Sequence, residues 1–247
     1  VTVPVTPFPA MASKSFTLLS LFLLLGFSNL ALAQSGFSHE IGIIAGPVAF
    51  QSDYGERHDL KTNAGNSGFG IGLIHYMNFS YTADCDCYNP ETFFNDHFKL
   101  RSELSFNKTE FNHFGQWVEG KPSLGKTQLK AMHGNTAVTN IGMQIEYFPL
   151  SIREFSETVT SLAPFVSLGA QYSFYNTKAS STLGPLGTPL TTIPKYLTPS
   201  DGRSYGFSTE TGSVFSIVTS VGTRYKLSPL SDLMIDLRVQ YYFSDWV

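Results

Sequence analysis

From Ile41 onward, apolar side chains recur at every second position, and this period of two restricts the fold more than any other feature of the chain. Alternate side chains share a face only in an extended strand, whereas a helix brings every third or fourth one together. From Phe69 the odd positions read Phe69, Ile71, Leu73, Met77, Phe79 and Tyr81, and the even ones Gly68, Gly70, Gly72, Tyr76, Asn78 and Ser80. The twenty residues from Ala64 to Ala83 hold no Lys, Arg, Asp or Glu, as a membrane helix would. Three alternate glycines, each costing about 1 kcal/mol inside a helix, exclude that reading.

The pattern returns along the chain. Phe98, Leu100, Leu104 and Phe106 oppose Lys99, Arg101, Glu103 and Ser105; Ile141, Met143, Ile145 and Tyr147 oppose Asn140, Gly142, Gln144 and Glu146. Val166, Leu168, Ala170, Tyr172 and Phe174 oppose Ser167, Gly169, Gln171 and Ser173, and Phe215, Ile217, Val221 and Tyr225 oppose Ser216, Ser220, Gly222 and Arg224. Leu233, Ile235, Leu237, Val239, Tyr241 and Phe243 oppose Asp236, Arg238, Gln240 and Ser244. With Ile41 and Ile43 against Glu40 and Gly42, seven strands and no helix are predicted, which makes the chain all-β.

Two details separate a soluble barrel from a membrane one. Aliphatic residues hold the middle of the apolar faces, while aromatics gather at the ends. Phe37, Tyr81, Phe98, Tyr147, Phe165 and Tyr225 form one set; Phe69, Phe174, Tyr175, Phe215, Tyr241 and Phe243 form the other. They read as two interfacial girdles. The opposite face carries Glu40, Arg101, Glu103, Glu146, Arg224, Asp236 and Arg238, which a narrow lumen is able to pair. Glycines 42, 68, 70, 72, 142, 169 and 222 are expected to make room there. Composition agrees: charged residues are 14% and aromatics 14%, with 21 Phe and 12 Tyr. Disorder needs more charge and fewer aromatics, nucleic-acid binding a basic excess, and a disulfide scaffold more than the 2 Cys present.

Connections point the same way. Gaps after the first, third and fifth strands run over 51–67, 114–136 and 176–212; those after the second, fourth and sixth are expected to be shorter, the last being Ser228 to Asp232. Long loops on one side and short turns on the other match an outer-membrane barrel with a periplasmic N-terminus. Seven is an odd number, so an eighth strand is expected beyond Val247. At the other end, Met11, Lys14, the run Leu18 to Leu25 and Ala31-Leu32-Ala33 read as a secretory leader over 11–33, cleaved after Ala33, with 1–10 as an upstream extension. Removing Lys14 with the leader leaves 15 basic against 19 acidic residues.

The stretch Glu40-Ile41-Gly42-Ile43-Ile44-Ala45-Gly46, with Thr223-Arg224-Tyr225-Lys226-Leu227 and Gln240-Tyr241-Tyr242-Phe243, resembles a family of small flavobacterial outer-membrane β-barrels of the Bacteroidota. More loosely it is similar to the PorG-type accessory barrels of the type IX secretion system. The resemblance spans nearly all of the chain from Gln34 and implies an outer-membrane location rather than an activity. Dehydrogenase labels attached to such relatives find no support, because no G-x-G-x-x-G leads from a strand into a helix.

Chemical motifs are formal. Gly120-Lys121-Pro122-Ser123-Leu124-Gly125-Lys126-Thr127 fits the Walker A pattern, with Leu233 to Asp236 as a nominal second half. A phosphate loop needs a buried strand before it and a long helix after it, so this segment reads as a solvated basic loop. Gly202-Arg203-Ser204-Tyr205-Gly206 matches a nucleophile elbow but sits among Pro185, Pro189, Pro194 and Pro199 and reads as a turn. A hydrolase would need one of His58, His97, His113 or His133 beside Ser204. Cys85-Asp86-Cys87, with Asp84, reads as a disulfide or a bridge to a partner rather than a metal site, since four ligands are usual and only His97 is near in sequence. His75 falls on the apolar face, at an interface or beside a register-shifting bulge.

The expectation is an eight-stranded transmembrane barrel over 34–247, with a lumen filled by side chains. Its role would be non-enzymatic, structural or accessory, with long loops meeting an envelope partner and outer-membrane lipids as surroundings. No catalytic residue, cofactor, metal or nucleic acid is assigned. An outer-membrane lipid hydrolase and a small channel are the alternatives.

Overall fold

Alternation along the chain becomes one antiparallel sheet whose strands lie in chain order, β1 (Ser38–Ala49), β2 (Ser67–Asn78), β3 (Phe98–Asn112), β4 (Met132–Tyr147), β5 (Leu162–Ser181), β6 (Glu210–Ser228) and β7 (Ser231–Tyr242). The computed structural model describes residues 37–52, 54–56, 59, 61–79, 92–193, 197 and 210–244. The leader and upstream extension, Tyr81, Cys85 and Cys87, His58, the Gly202–Gly206 segment and the chain end from Asp245 lie outside these residues. No described helix is long and apolar enough to cross a membrane.

The sheet curls into a half-barrel, because side chains of one face meet across it. Arg101 on β3 reaches Asp236 on β7 at 3.0 Å, and the rings of Phe50 and Tyr242, just beyond β1 and at the end of β7, stack with centroids 5.7 Å apart. β1 and β7 are not hydrogen-bonded to each other. On the convex face the side chains are apolar and exposed, with Ile41 at 84% and Leu237 at 77%. The concave face is buried and carries all the buried charges of the described residues, with apolar side chains such as Ile74, Val138 and Val218 among them, the inverse of a water-soluble sheet.

Registers run without slippage from β1 to β6, and the one shift falls between Lys226 and Ser228 on β6. His75 therefore needs no bulge: it pairs with Ile41 and Ser102 in an unbroken ladder and faces outward. Between β4 and β5 two glycines permit close approach. A Cβ on Gly142 would lie 2.3 Å from the Ala170 carbonyl oxygen, and one on Gly169 would lie 2.2 Å from that of Met143. Gln171 and Gln144 fold across the freed space. Gly42, expected to make room in the same way, has nothing within 4 Å of such a Cβ.

Several expectations change. Phe165 and Tyr175 do not belong to the outer girdles: they share the phase of Ser167 and Gln171 and turn inward, Phe165 being fully buried. Three short helices, α1 (Phe93–His97), α2 (Leu124–Ala131) and α3 (Ile152–Glu157), occupy connections where none was predicted. Capping explains their starts, since Thr92, Ser123 and Ser151 accept hydrogen bonds from backbone amides of Asn95, Lys126 and Glu154. Connections 50–66, 113–131 and 182–209 form the loop end of the sheet; 79–97, 148–161 and 229–230 form the turn end. The first turn-end connection is as long as 113–131, so the two ends differ less in length than the sequence suggests.

Candidate functional site

Strand parity places an ionised cluster on the concave face, and register brings its members together. Every residue expected there is present, from Glu40 on β1 to Arg238 on β7. Arg101 donates through Nη2 to Glu103 at 2.9 Å and through Nη1 to Glu146 at 3.3 Å and Asp236 at 3.0 Å. Arg224 joins Glu146 at 2.9 Å, Glu40 at 3.0 Å and Asp232 at 3.5 Å. Arg238 closes the set on Glu103 at 2.5 Å and Asp236 at 3.2 Å. The side chains of Arg101 and Glu146 are 0% exposed. Two further residues join the cluster: Lys99, which alternation already sets on the polar face, 2.8 Å from Glu40, and Asp232. Lys99 has the inward phase of Arg101, so parity alone was the signal for it. Isolated ions here would cost several kcal/mol each, and sharing Glu40, Glu103, Glu146 and Asp236 each between two cations offsets that cost.

An apolar plug closes the cluster on the turn-end side. Phe148, Ile152 and Phe155 from the β4–β5 connection pack with Ala163 and Phe165 of β5, and Met234 lies against them. Helix α3 delivers two of these side chains. The plug also touches the cations: Arg224 lies 3.9 Å from the ring centre of Tyr76 and 5.5 Å from that of Phe148, with Lys99 at 5.8 Å from the latter. Tyr76 in turn donates its hydroxyl to the Met234 sulfur at 3.2 Å. Weakly hydrated guanidinium stacks well on aromatic faces, which suits Arg to this position.

On the other side the interior becomes neutral. Gln144 donates to Glu103 at 3.2 Å and accepts from Ser167 at 2.9 Å, whose hydroxyl meets Ser220 at 2.6 Å. Asn140 accepts from Ser173 at 2.7 Å and Gln240 at 3.2 Å, and Gln240 also donates to Ser216 at 2.9 Å. Buried Gln171 has no partner for either amide atom among the described residues. At the loop end, Tyr54 stacks on Phe111 at 5.5 Å and on His113 at 4.7 Å. Burial raises the Tyr54 hydroxyl to about 12. Burial likewise holds the His113 imidazole below its ordinary range, and neighbouring His133 adds to this against a backbone hydrogen bond with Tyr54.

The remaining motifs stay apart. The Walker-like segment is an exposed loop up to Ser123 and continues as the first turn of the two-turn helix α2, and Lys126 donates its ammonium to the Glu119 carbonyl. What precedes it is a 3-10 turn, Gly115–Trp117, rather than a strand. Gln128 of α2 ties down the β5–β6 connection by donating to the carbonyls of Pro189 at 3.0 Å and Leu190 at 3.1 Å. His97 donates to the Phe148 carbonyl at 2.7 Å at the turn end, while His133 donates to Asn112 at 2.6 Å at the opposite end. Ser204 lies outside the described residues. Among the described residues no three His, Cys, Asp or Glu side chains are grouped to hold a metal ion.

Fold and site together define an all-β protein, a seven-stranded antiparallel half-barrel with an ionised interior and an apolar exterior. Compared with known protein families, curated proteins and solved structures, the chain matches none.

Proposed function

We propose that the sheet is the greater part of an outer-membrane β-barrel with a non-enzymatic, structural or accessory role, whose loops meet an envelope partner. The observation that carries this reading is the inverted polarity: the convex side presents Ile41, Ile71, Leu104, Ile141, Leu168 and Leu237 to the surroundings, while Arg101 and Glu146 are sealed inside. A continuous apolar belt of this extent suits acyl chains and not water. Aromatic rings border it, with Phe37, Phe98 and Tyr147 at the turn end and Phe69, Phe174, Phe215, Tyr241 and Phe243 at the loop end. The interior is filled by ion pairs and closed by the aromatic plug, which favours a scaffold over a pore.

An eighth strand completes the proposal. β1 and β7, as first and seventh of an antiparallel series, run in the same direction, so one strand running oppositely pairs with both. Cluster members near these edges are the more exposed ones, Glu40 at 36% and Arg238 at 21% against 0% for Arg101, and a strand in the seam would cover them. Lipid leaves no unpaired edge, because each bare backbone group costs several kcal/mol there.

Leu104→Arg tests the reading. On a lipid-facing midpoint an arginine costs about 2–4 kcal/mol, so the exported variant should fall sharply in the outer-membrane fraction. An unchanged or improved yield in the water-soluble fraction would overturn it.

A further inference from the structure

A pair of histidines sits where the outer face is otherwise uncharged. His39 on β1 and His75 on β2 both point outward, their ring nitrogens Nδ1 and Nε2 are 3.0 Å apart, and the rings stack with centroids at 5.2 Å. The unbroken register sets Met77 directly opposite His39, on the same face and two residues along β2 from His75. Cross-strand neighbours of this kind hold their Cβ atoms about 4.5–5.5 Å apart, so two imidazoles and one thioether share a single patch. Its strand neighbours are Ile41, Leu73, Leu100 and Ser102, none of them ionisable. Packing gives no reason for two imidazoles side by side in such a surface.

The geometry points to a copper site: we propose that His39, His75 and Met77 bind one copper ion on the outer face of β1 and β2. Two nitrogens 3.0 Å apart, each about 2.0–2.1 Å from a metal, subtend roughly 90–100° and so fill adjacent coordination positions. Neutral imidazole accepts copper, nickel and zinc alike, and copper leads the affinity order for divalent ions. Met77 sharpens the choice, because a soft thioether favours Cu(I) over Zn(II). Without metal one ring donates a hydrogen bond to the other across the same gap, and the rings turn their lone pairs onto the ion to bind it. The inference rests on the β1–β2 register and the ring contact of His39 with His75.

The test uses the whole protein in detergent, with Cu(I) under anaerobic reduction or Zn(II) as the probe, each titrated against a chromophoric chelator. Parallel titrations in a Cys85→Ser, Cys87→Ser background keep thiol binding separate. The site predicts one Cu(I) per chain, retained in that background. His39→Gln or His75→Gln should each weaken Cu(I) binding at least tenfold, with the β-sheet circular dichroism unchanged. Met77→Leu should weaken Cu(I) at least threefold while leaving Zn(II) within twofold. Copper binding that survives His39→Gln with His75→Gln, that vanishes with the thiols, or that ignores Met77→Leu would overturn the site.

Discussion

The two halves of the interior solve burial in different ways. Toward the turn end, ionised groups are locked between β1, β3, β4, β6 and β7 and sealed by the rings of Phe148 and Phe165; toward the loop end, amides and hydroxyls such as Asn140, Ser173 and Gln240 do the same work without charge. In the charged half, removing one arginine weakens several partners at once. Arg101 reaches Glu103, Glu146 and Asp236, each of which a second arginine also holds. In the neutral half the bonds are local, and Gln171 shows that one amide is tolerated with neither atom paired among the described residues. The difference teaches that what stabilises this interior is not polarity as such but the sharing of each buried charge among several strands.

One replacement placed in both halves breaks or sharpens this contrast. Arg101→Met takes one of the two cations from each of Glu103, Glu146 and Asp236 and leaves the buried cluster a positive charge short, which should cost about 3–5 kcal/mol, read as a lowered urea midpoint in detergent micelles with the slope unchanged. Equal stability of the variant would mean that the cluster is solvated rather than sealed. Gln171→Met exchanges an unpartnered buried amide for an apolar chain of similar length, so its effect should be within about 1 kcal/mol and on the stabilising side, since an unpaired buried amide is itself a cost. A loss comparable to that of Arg101→Met would erase the distinction.

The smallest effect belongs to the loop end. His113 is held below the ordinary imidazole range, so the unfolded chain binds its proton first as pH falls. Its contribution to stability is full above about pH 6.5, the unperturbed imidazole value, and declines as pH drops below it toward the lowered folded value. Protection factors of the amides around Tyr54 and His113, corrected for the intrinsic exchange rate at each pH, should therefore fall on acidification, and His113→Phe should abolish the change. Persistence of the pH response in that variant would assign it to another group.

Much of this was legible in the residues. A period of two is a local property, so the seven strands, their outward faces and the inward phase of Glu40, Arg101 and Asp236 follow from spacing alone. Phase also held the answer for Phe165 and Tyr175, whose odd positions match Ser167 and not Val166; their aromatic character outweighed it in a reading that looked for girdles. Lys99 carries the same inward phase as Arg101. No local signal marked helix α3 as a plug, because its two buried side chains, Ile152 and Phe155, find their partners only on a neighbouring strand.

By itself, then, the amino-acid order determined which side chains face together along each strand, since the extended backbone turns successive residues to opposite sides. Only the tertiary structure decided which of them meet. The curl of the sheet brings β1 against β6 and β3 against β7, and register sets the depth at which each charge finds another. His39 and His75 come within 3.0 Å by the same means: pairing between distant segments depends on registers that no single strand encodes.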